Sequence, residues 1–156
     1  MVARRSTERF ASGGRHSAGD HALLLRRSGL RKTAARIAVL KFLEDAPAPL
    51  SHGEIAGEIA ALGFDRATVY RNLVDLAEAG LVARADMGDH VWRFEIRRGP
   101  SAHVREHPHF LCVTCGGVTC LPGGAVRLVS ARGVPRAIAA RDVEVHVKGR
   151  CDTCMA

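Results

Sequence analysis

The chain has no apolar run approaching the ~20 residues a membrane-spanning helix requires, and residues 1–19 lack the apolar stretch of a secretory signal. No membrane partner is expected, and a cytoplasmic home follows. Internal repeats and low-complexity tracts are also missing. The cysteine count is odd, and four of the five lie in two CxxC pairs, a poor match to a disulfide framework. A thioredoxin-type CxxC stands alone at the start of a helix in a βαβ unit, and no such setting is present. The proline-led PCxxC of zinc deaminases is absent too, because Pro108 precedes His109 rather than Cys112. Acidic residues are in short supply, 16 against 23 lysines and arginines, for a net charge of +7.

What is present begins with Cys112-Val-Thr-Cys115 and Cys151-Asp-Thr-Cys154, 35 residues apart. Zinc takes four ligands in a tetrahedron, and two CxxC turns supply four thiolates. Such a site is closed and offers no open position for water, so neither catalysis nor a small organic substrate is expected. A separate set of ligand types, His103, Glu106, His107 and His109, lies just ahead of the first pair. The two sets together point to two metals, one holding the fold and one reporting metal status.

The positive charge is uneven. Residues 1–32 carry eight basic side chains against Glu8 and Asp20, leaving the rest of the chain only +1. A basic arm ahead of a nearly neutral body suits a phosphate backbone. Residues 1–17, with Gly13-Gly14 and scattered serines, read as a flexible basic leader.

Asp20 is positioned to cap a short helix running through Ala22 to Arg27, stopped by Gly29. Thr33 caps a second helix whose apolar face is Ile37, Leu40, Phe42 and Leu43, ending at Asp45-Ala46-Pro47. Ser51 with Glu54 forms a capping box for a third helix, which Gly63 closes. Asp65 opens a fourth, Arg66 to Ala79, stopped by Gly80 and presenting Thr68, Tyr70, Arg71 and Asn72 near its N-terminal end. Strands Leu81–Ala85 and His90–Ile96 follow around a Met87-Gly88-Asp89 turn. Helices followed by a hairpin make a winged helix, whose last helix enters the major groove of double-stranded DNA. Tyr70, Arg71 and Asn72 are of the type that reads bases or grips phosphates.

The fold class expected is α+β: an N-terminal winged helix over residues 18–98, a hinge over 99–106, and a small α/β dimerisation unit over 107–156. In the second unit, strands are expected at His109–Val113, Gly117–Leu121 and Val143–Val147, with a helix from about Gly124 to Ala131. His16 and His21 read as solvated, His146 as structural, and Trp92 and Phe94 as packing for the wing. His90 lies five residues before Glu95, so a regular strand points the two to opposite faces.

Four segments carry a resemblance to the ferric uptake regulator superfamily of metal-responsive repressors. They are Gly29-Leu-Arg-Lys-Thr-Ala-Ala-Arg36, Ala67-Thr-Val-Tyr-Arg-Asn-Leu73, Ala79-Gly-Leu-Val82 and His107-Pro-His-Phe-Leu-Cys-Val-Thr-Cys-Gly116. The resemblance implies a homodimer on operator DNA and structural zinc on Cys112, Cys115, Cys151 and Cys154. It implies DNA contacts from Tyr70 and Arg71, with backbone or minor-groove contacts from Arg31 and Arg36. It places a regulatory divalent metal between the domains, on Glu95, His107, His109 and a ligand near the third helix. Pro49 stands where many relatives carry that last histidine, and His52 is the nearest candidate. Cys120 stands where relatives often carry glutamate, which makes the site softer and more zinc-like. A third site found in several relatives is reduced here to Glu106, its other positions being Pro108, Arg127 and Val143.

The expected function is therefore a zinc-sensing repressor resembling the zinc-uptake branch of that superfamily. Iron sensing remains open because histidine and glutamate also suit ferrous iron, and peroxide sensing is a further alternative. From a different class, a zinc-ribbon scaffold or metal buffer would bind DNA without operator specificity.

Overall fold

A computed structural model describes residues 18–97, 108–122, 124–129, 131–140, 143 and 145–156. The expected leader at 1–17 and hinge at 99–106 lie outside the described residues.

Helix α1 spans Ala18–Arg27, so Asp20 sits inside its first turn rather than capping it. Helix α2 spans Ala34–Asp45, with the Thr33 hydroxyl accepting from the Arg36 amide at 3.2 Å. Strand β1, Leu50–Ser51, leads into α3, His52–Ile59, which continues as a single 3₁₀ turn over Ala60–Leu62. The Ser51–Glu54 capping box is formed in both directions. Helix α4, Arg66–Glu78, starts at Asp65, whose carboxylate accepts from the Thr68 amide at 2.8 Å. Gly80 ends it at φ +72°, a left-handed conformation that lets the Leu81 amide reach back to the Leu76 carbonyl at 2.9 Å.

Strands β2, Val82–Asp86, and β3, Trp92–Ile96, pair antiparallel, and β1 adds to the far edge of β3. The wing is thus a three-stranded sheet in the order β1-β3-β2. The extra strand escaped the sequence pattern because two residues carry no alternation to read. Phe94 faces the helices and is fully buried with Leu25, Val39, Leu40, Ile55, Val69, Leu73 and Leu76. Each such side chain contributes about 1.5–3 kcal/mol when withdrawn from water. Trp92 stays half-exposed beneath the Arg84 guanidinium, 3.9 Å from its ring centroid.

His21 departs from expectation. It is buried, 1% exposed, with Nε2 3.0 Å from Glu44 Oε2 on α2. Its place on the inward side of α1 is set by helix packing, which polarity alone does not reveal.

The second unit is built on strands β4, His109–Cys112, β5, Val118–Cys120, and β6, His146–Gly149. The order is β5-β4-β6, with β4 and β6 parallel. The last strand starts three residues later than expected and ends two residues later. Residues 124–129 form no helix, and a short α5, Arg136–Ala139, appears later. Valines and glycines are weak helix formers, and Leu128 and Val129 are exposed, with nothing among the described residues covering them. A short helix draws its stability mainly from such packing. Helix α6, Asp152–Met155, closes the chain inside the second CxxC pair. No helix among the described residues is long and apolar enough to cross a membrane.

Candidate metal centres and nucleic-acid interface

The turn after β4 and the start of α6 bring the two CxxC pairs together. The sulfurs of Cys112, Cys115, Cys151 and Cys154 all lie within 4.8 Å of one another. Cys115 and Cys151 Sγ atoms are 3.9 Å apart. A tetrahedron with ~2.3 Å zinc–sulfur bonds has an edge of about 3.8 Å, so the set has the size of a zinc site. Backbone N–H groups of Cys115 and Cys151 hold the Cys112 thiol down to about 6, the latter donating at 3.3 Å. Hydrogen bonding with Cys151, with burial added, pushes Cys154 up to about 12. One sulfur is thus ready as thiolate, and an arriving cation must displace the proton of another.

The second cluster spans the two units. Alternation along β3 sends Phe94 into the core and turns Arg93 and Glu95 to the opposite face. There Glu95 Oε2 stands 3.8 Å from His109 Nε2, with the two side chains 21% and 9% exposed. That is beyond hydrogen-bond reach and near the ~3.3 Å edge between O and N ligands at ~2.0–2.1 Å in a tetrahedron. Cys120 is paired directly opposite His109 in the β4–β5 ladder, so the two share a face.

On α4, Tyr70 is 45% exposed and Arg71 is exposed beside it. An Arg71 guanidinium nitrogen donates to the Thr68 hydroxyl at 3.3 Å, and that hydroxyl donates to Asp65 at 2.6 Å. The opening turn of α4 therefore carries a cap and two outward side chains of DNA-reading type.

The ferric uptake regulator family model matches residues 27–127. The chain belongs to the ferric uptake regulator family. It is 34% identical over 116 residues to ferric uptake regulation protein 1 of Mycolicibacterium fortuitum, covering 72% of this chain and 69% of that one. It is 31% identical over 143 residues to the transcriptional regulator FurA of Mycobacterium tuberculosis, covering 86% and 90%. The solved ferric uptake regulator of Vibrio cholerae aligns at a TM-score of 0.65 and 26% identity, over 85% of this chain and all of that one. As a ferric uptake regulator family member, the chain is a metal-responsive transcriptional regulator and not an enzyme.

Several residues singled out from sequence occupy places the sequence did not specify. His107, with Glu106 and His103, lies outside the described residues. His52 donates from Nε2 to the Arg66 carbonyl at 2.9 Å and meets Tyr70 edge-on at 5.3 Å, so it braces α4. Its ring is engaged on that helix, and among the described residues it joins no group of three or more ligands. Asn72 is 8% exposed and its amide turns back to the Thr68 carbonyl at 2.7 Å. Arg36 spans from the Arg31 carbonyl at 2.7 Å to the Asp75 carboxylate, tying α2 to α4. Arg31 itself is exposed. His90 adopts φ +60° with its ring almost wholly in solvent, 3.9 Å from Asp86.

Two residues were missed. Arg93, 4% exposed, donates to Asp89 and to the Gly116 carbonyl at 3.3 Å, joining the wing to the first CxxC turn. Lys148 donates to the Gly88 carbonyl at 2.7 Å, joining β6 to the wing turn. Arg93 shares its strand face with Glu95, and that alternation was a signal available in the sequence.

Proposed function

We propose that the chain is a zinc-sensing repressor that acts as a cytoplasmic homodimer on operator DNA. Structural Zn2+ sits on Cys112, Cys115, Cys151 and Cys154. A second, regulatory Zn2+ sits on Glu95, His107, His109 and Cys120. The observation that carries this reading is Glu95 of the wing facing His109 of the second unit, with Cys120 beside it. Ligands from both units make their relative placement depend on the ion. The sulfur donor favours Zn2+ over Fe2+ or Mn2+.

Thr68, Tyr70 and Arg71 would meet the DNA, with Arg31 on the backbone. Asn72 and Arg36 hold that surface in place, and His52 supports it rather than the metal. A metal-dependent change of ~100-fold in DNA affinity needs about 2.7 kcal/mol of differential binding between the loose and fixed arrangements.

Iron sensing is the second reading, because the named relatives are ferric uptake regulators. Elemental analysis before and after mild chelation, with operator binding followed in parallel, separates the two. One tightly held zinc and a second, removable zinc whose loss weakens DNA binding is the expected result. If zinc leaves binding unchanged while Fe2+ restores it, the iron reading replaces this one. If no metal affects binding, both fall.

A further inference from the structure

Two hydrogen bonds tie the wing to the second unit, and they run in opposite directions. Lys148 on β6 donates from Nζ to the Gly88 carbonyl in the wing turn at 2.7 Å. Arg93 on β3 donates from Nη2 to the Gly116 carbonyl at 3.3 Å. Both attachment points belong to the scaffold of the four-sulfur set: Gly116 follows Cys115, and Lys148 lies three residues before Cys151. Lys148 is paired with Leu111 in the β4–β6 ladder, and the Val113 amide donates to the Gly149 carbonyl at 2.8 Å. The Gly116 amide donates to the Cys112 carbonyl at 2.9 Å. Ladder and sulfur set together therefore hold the two points at a fixed separation.

A single hydrogen bond leaves two bodies free to swivel about it. A second, from another part of the wing, removes that swivel. Arg93 is 4% exposed and its guanidinium is already fixed by Asp89, so it reaches Gly116 without a fresh loss of side-chain freedom. Lys148 is exposed, and it reaches the wing turn because a glycine stands there; a Cβ on Gly88 would lie 2.7 Å from its Nζ. Neither residue is a ligand of either proposed ion.

Resting on the reading of a homodimer on paired operator half-sites, we infer that Lys148 and Arg93 are positioning residues that dock the wing on the four-sulfur unit and so set the spacing of the two α4 helices on DNA. A dimeric regulator of the helix-turn-helix class reads half-sites at a fixed distance along the duplex. One extra base pair moves a half-site by about 3.4 Å along the axis and turns it by roughly 35° around it. A rigid dock penalises that displacement, whereas a swivelling wing follows it. The dock is made without ligands of the second ion, so it acts whichever metal fills that site.

The probe is a duplex selected by the wild-type protein from a random pool, with copies carrying one base pair more or less between its half-sites and a copy carrying one half-site only. Full-length protein retaining its four-sulfur zinc is titrated with each duplex in excess Zn2+. Wild type is expected to prefer the selected spacing. Lys148→Met is expected to reduce that preference by roughly 2–10-fold, the worth of one hydrogen bond, with affinity for the single half-site unchanged. Arg93→Lys keeps a cation beside Asp89 but lacks the fork that also reaches Gly116, and is expected to do the same. Lys148→Arg restores a donor and is expected to keep the preference. An unaltered preference in Lys148→Met overturns the inference. Equal weakening on single and paired half-sites overturns it as well, because the lysine then grips phosphate instead of placing the wing. No spacing preference in the wild type overturns the paired half-site reading itself. Far-UV circular dichroism and one retained zinc per protomer show that each variant is folded.

Discussion

The guanidinium of Arg93 grips the Asp89 carboxylate with two parallel hydrogen bonds, 2.9 Å from Nη1 to Oδ1 and 2.8 Å from Nη2 to Oδ2. The pair spans the turn of the wing, and the same guanidinium reaches the Gly116 carbonyl beside the sulfur cluster. A buried charge on the wing thus depends on a carboxylate four residues away and touches the other unit.

Breaking that grip destabilises the wing. Asp89→Asn leaves the buried arginine without its counter-charge and is expected to cost about 1–3 kcal/mol. The Arg93 hydrogen bonds hold the Asp89 carboxyl below its ordinary 3.8. Its stabilisation is therefore complete above that value and is lost as pH falls through the lower folded value. Denaturant midpoints should show a wild-type advantage that stays constant between about pH 5 and about pH 7. An advantage that fades across that range would assign the effect to another group.

Loss of the sulfur site should unfold the second unit. Leu111 and Cys112 are its only buried apolar residues among those described. A structural zinc site supplies about 10–16 kcal/mol of apparent binding energy to such a domain. Cys112→Ser is expected to release one zinc per protomer and to leave the helical N-terminal unit melting on its own. Because Cys154 is pushed up to about 12, metal must displace its proton, and zinc affinity should rise with pH. Chelator competition at two pH values measures this; equal affinities would contradict it.

Tyr70→Ala and Arg71→Ala should weaken operator binding while leaving the melting curve nearly unchanged, since both side chains are exposed. A base contact is worth about 1–3 kcal/mol, and a phosphate contact lowers the salt slope by about one. Arg36→Ala should do the opposite, lowering stability through Asp75 and the Arg31 carbonyl. Binding isotherms at several salt concentrations, paired with melts, test both halves.

Gly88 sits at φ +74°, and a Cβ there would lie 2.7 Å from Lys148 Nζ. Gly88→Ala should strain the wing turn by about 1 kcal/mol and push the lysine off its carbonyl. Lys148→Met keeps the turn and removes only the cross-unit hydrogen bond. Thermal melts should rank the first variant below the second; the reverse order would show that the hydrogen bond matters more than the turn.

Much of the winged helix was legible because its signals are local. Thr33, Ser51 and Asp65 cap their helices through atoms three residues away, and Gly80 stops α4 by its own backbone freedom. The CxxC pairs were equally legible, since a four-residue spacing places two sulfurs on one ion. Burial of His21, the inward turn of Asn72 and the use of Arg36 were not legible. Each depends on a partner, such as Glu44 or Asp75, that only helix packing brings near. The helix expected over 124–131 shows the converse: the pattern was present, but nothing among the described residues covers it.

The sequence by itself determined the four helices and the hairpin of the winged helix, the four-sulfur set and the family, because caps, turns and ligand spacing act over a few bonds. Tertiary structure alone decided which distant residues meet. Strand register places Cys120 and His146 on either side of His109, and docking of the wing sets Glu95 before them. Register and docking are chosen by burial and pairing summed over whole elements, and no short stretch of sequence encodes that sum.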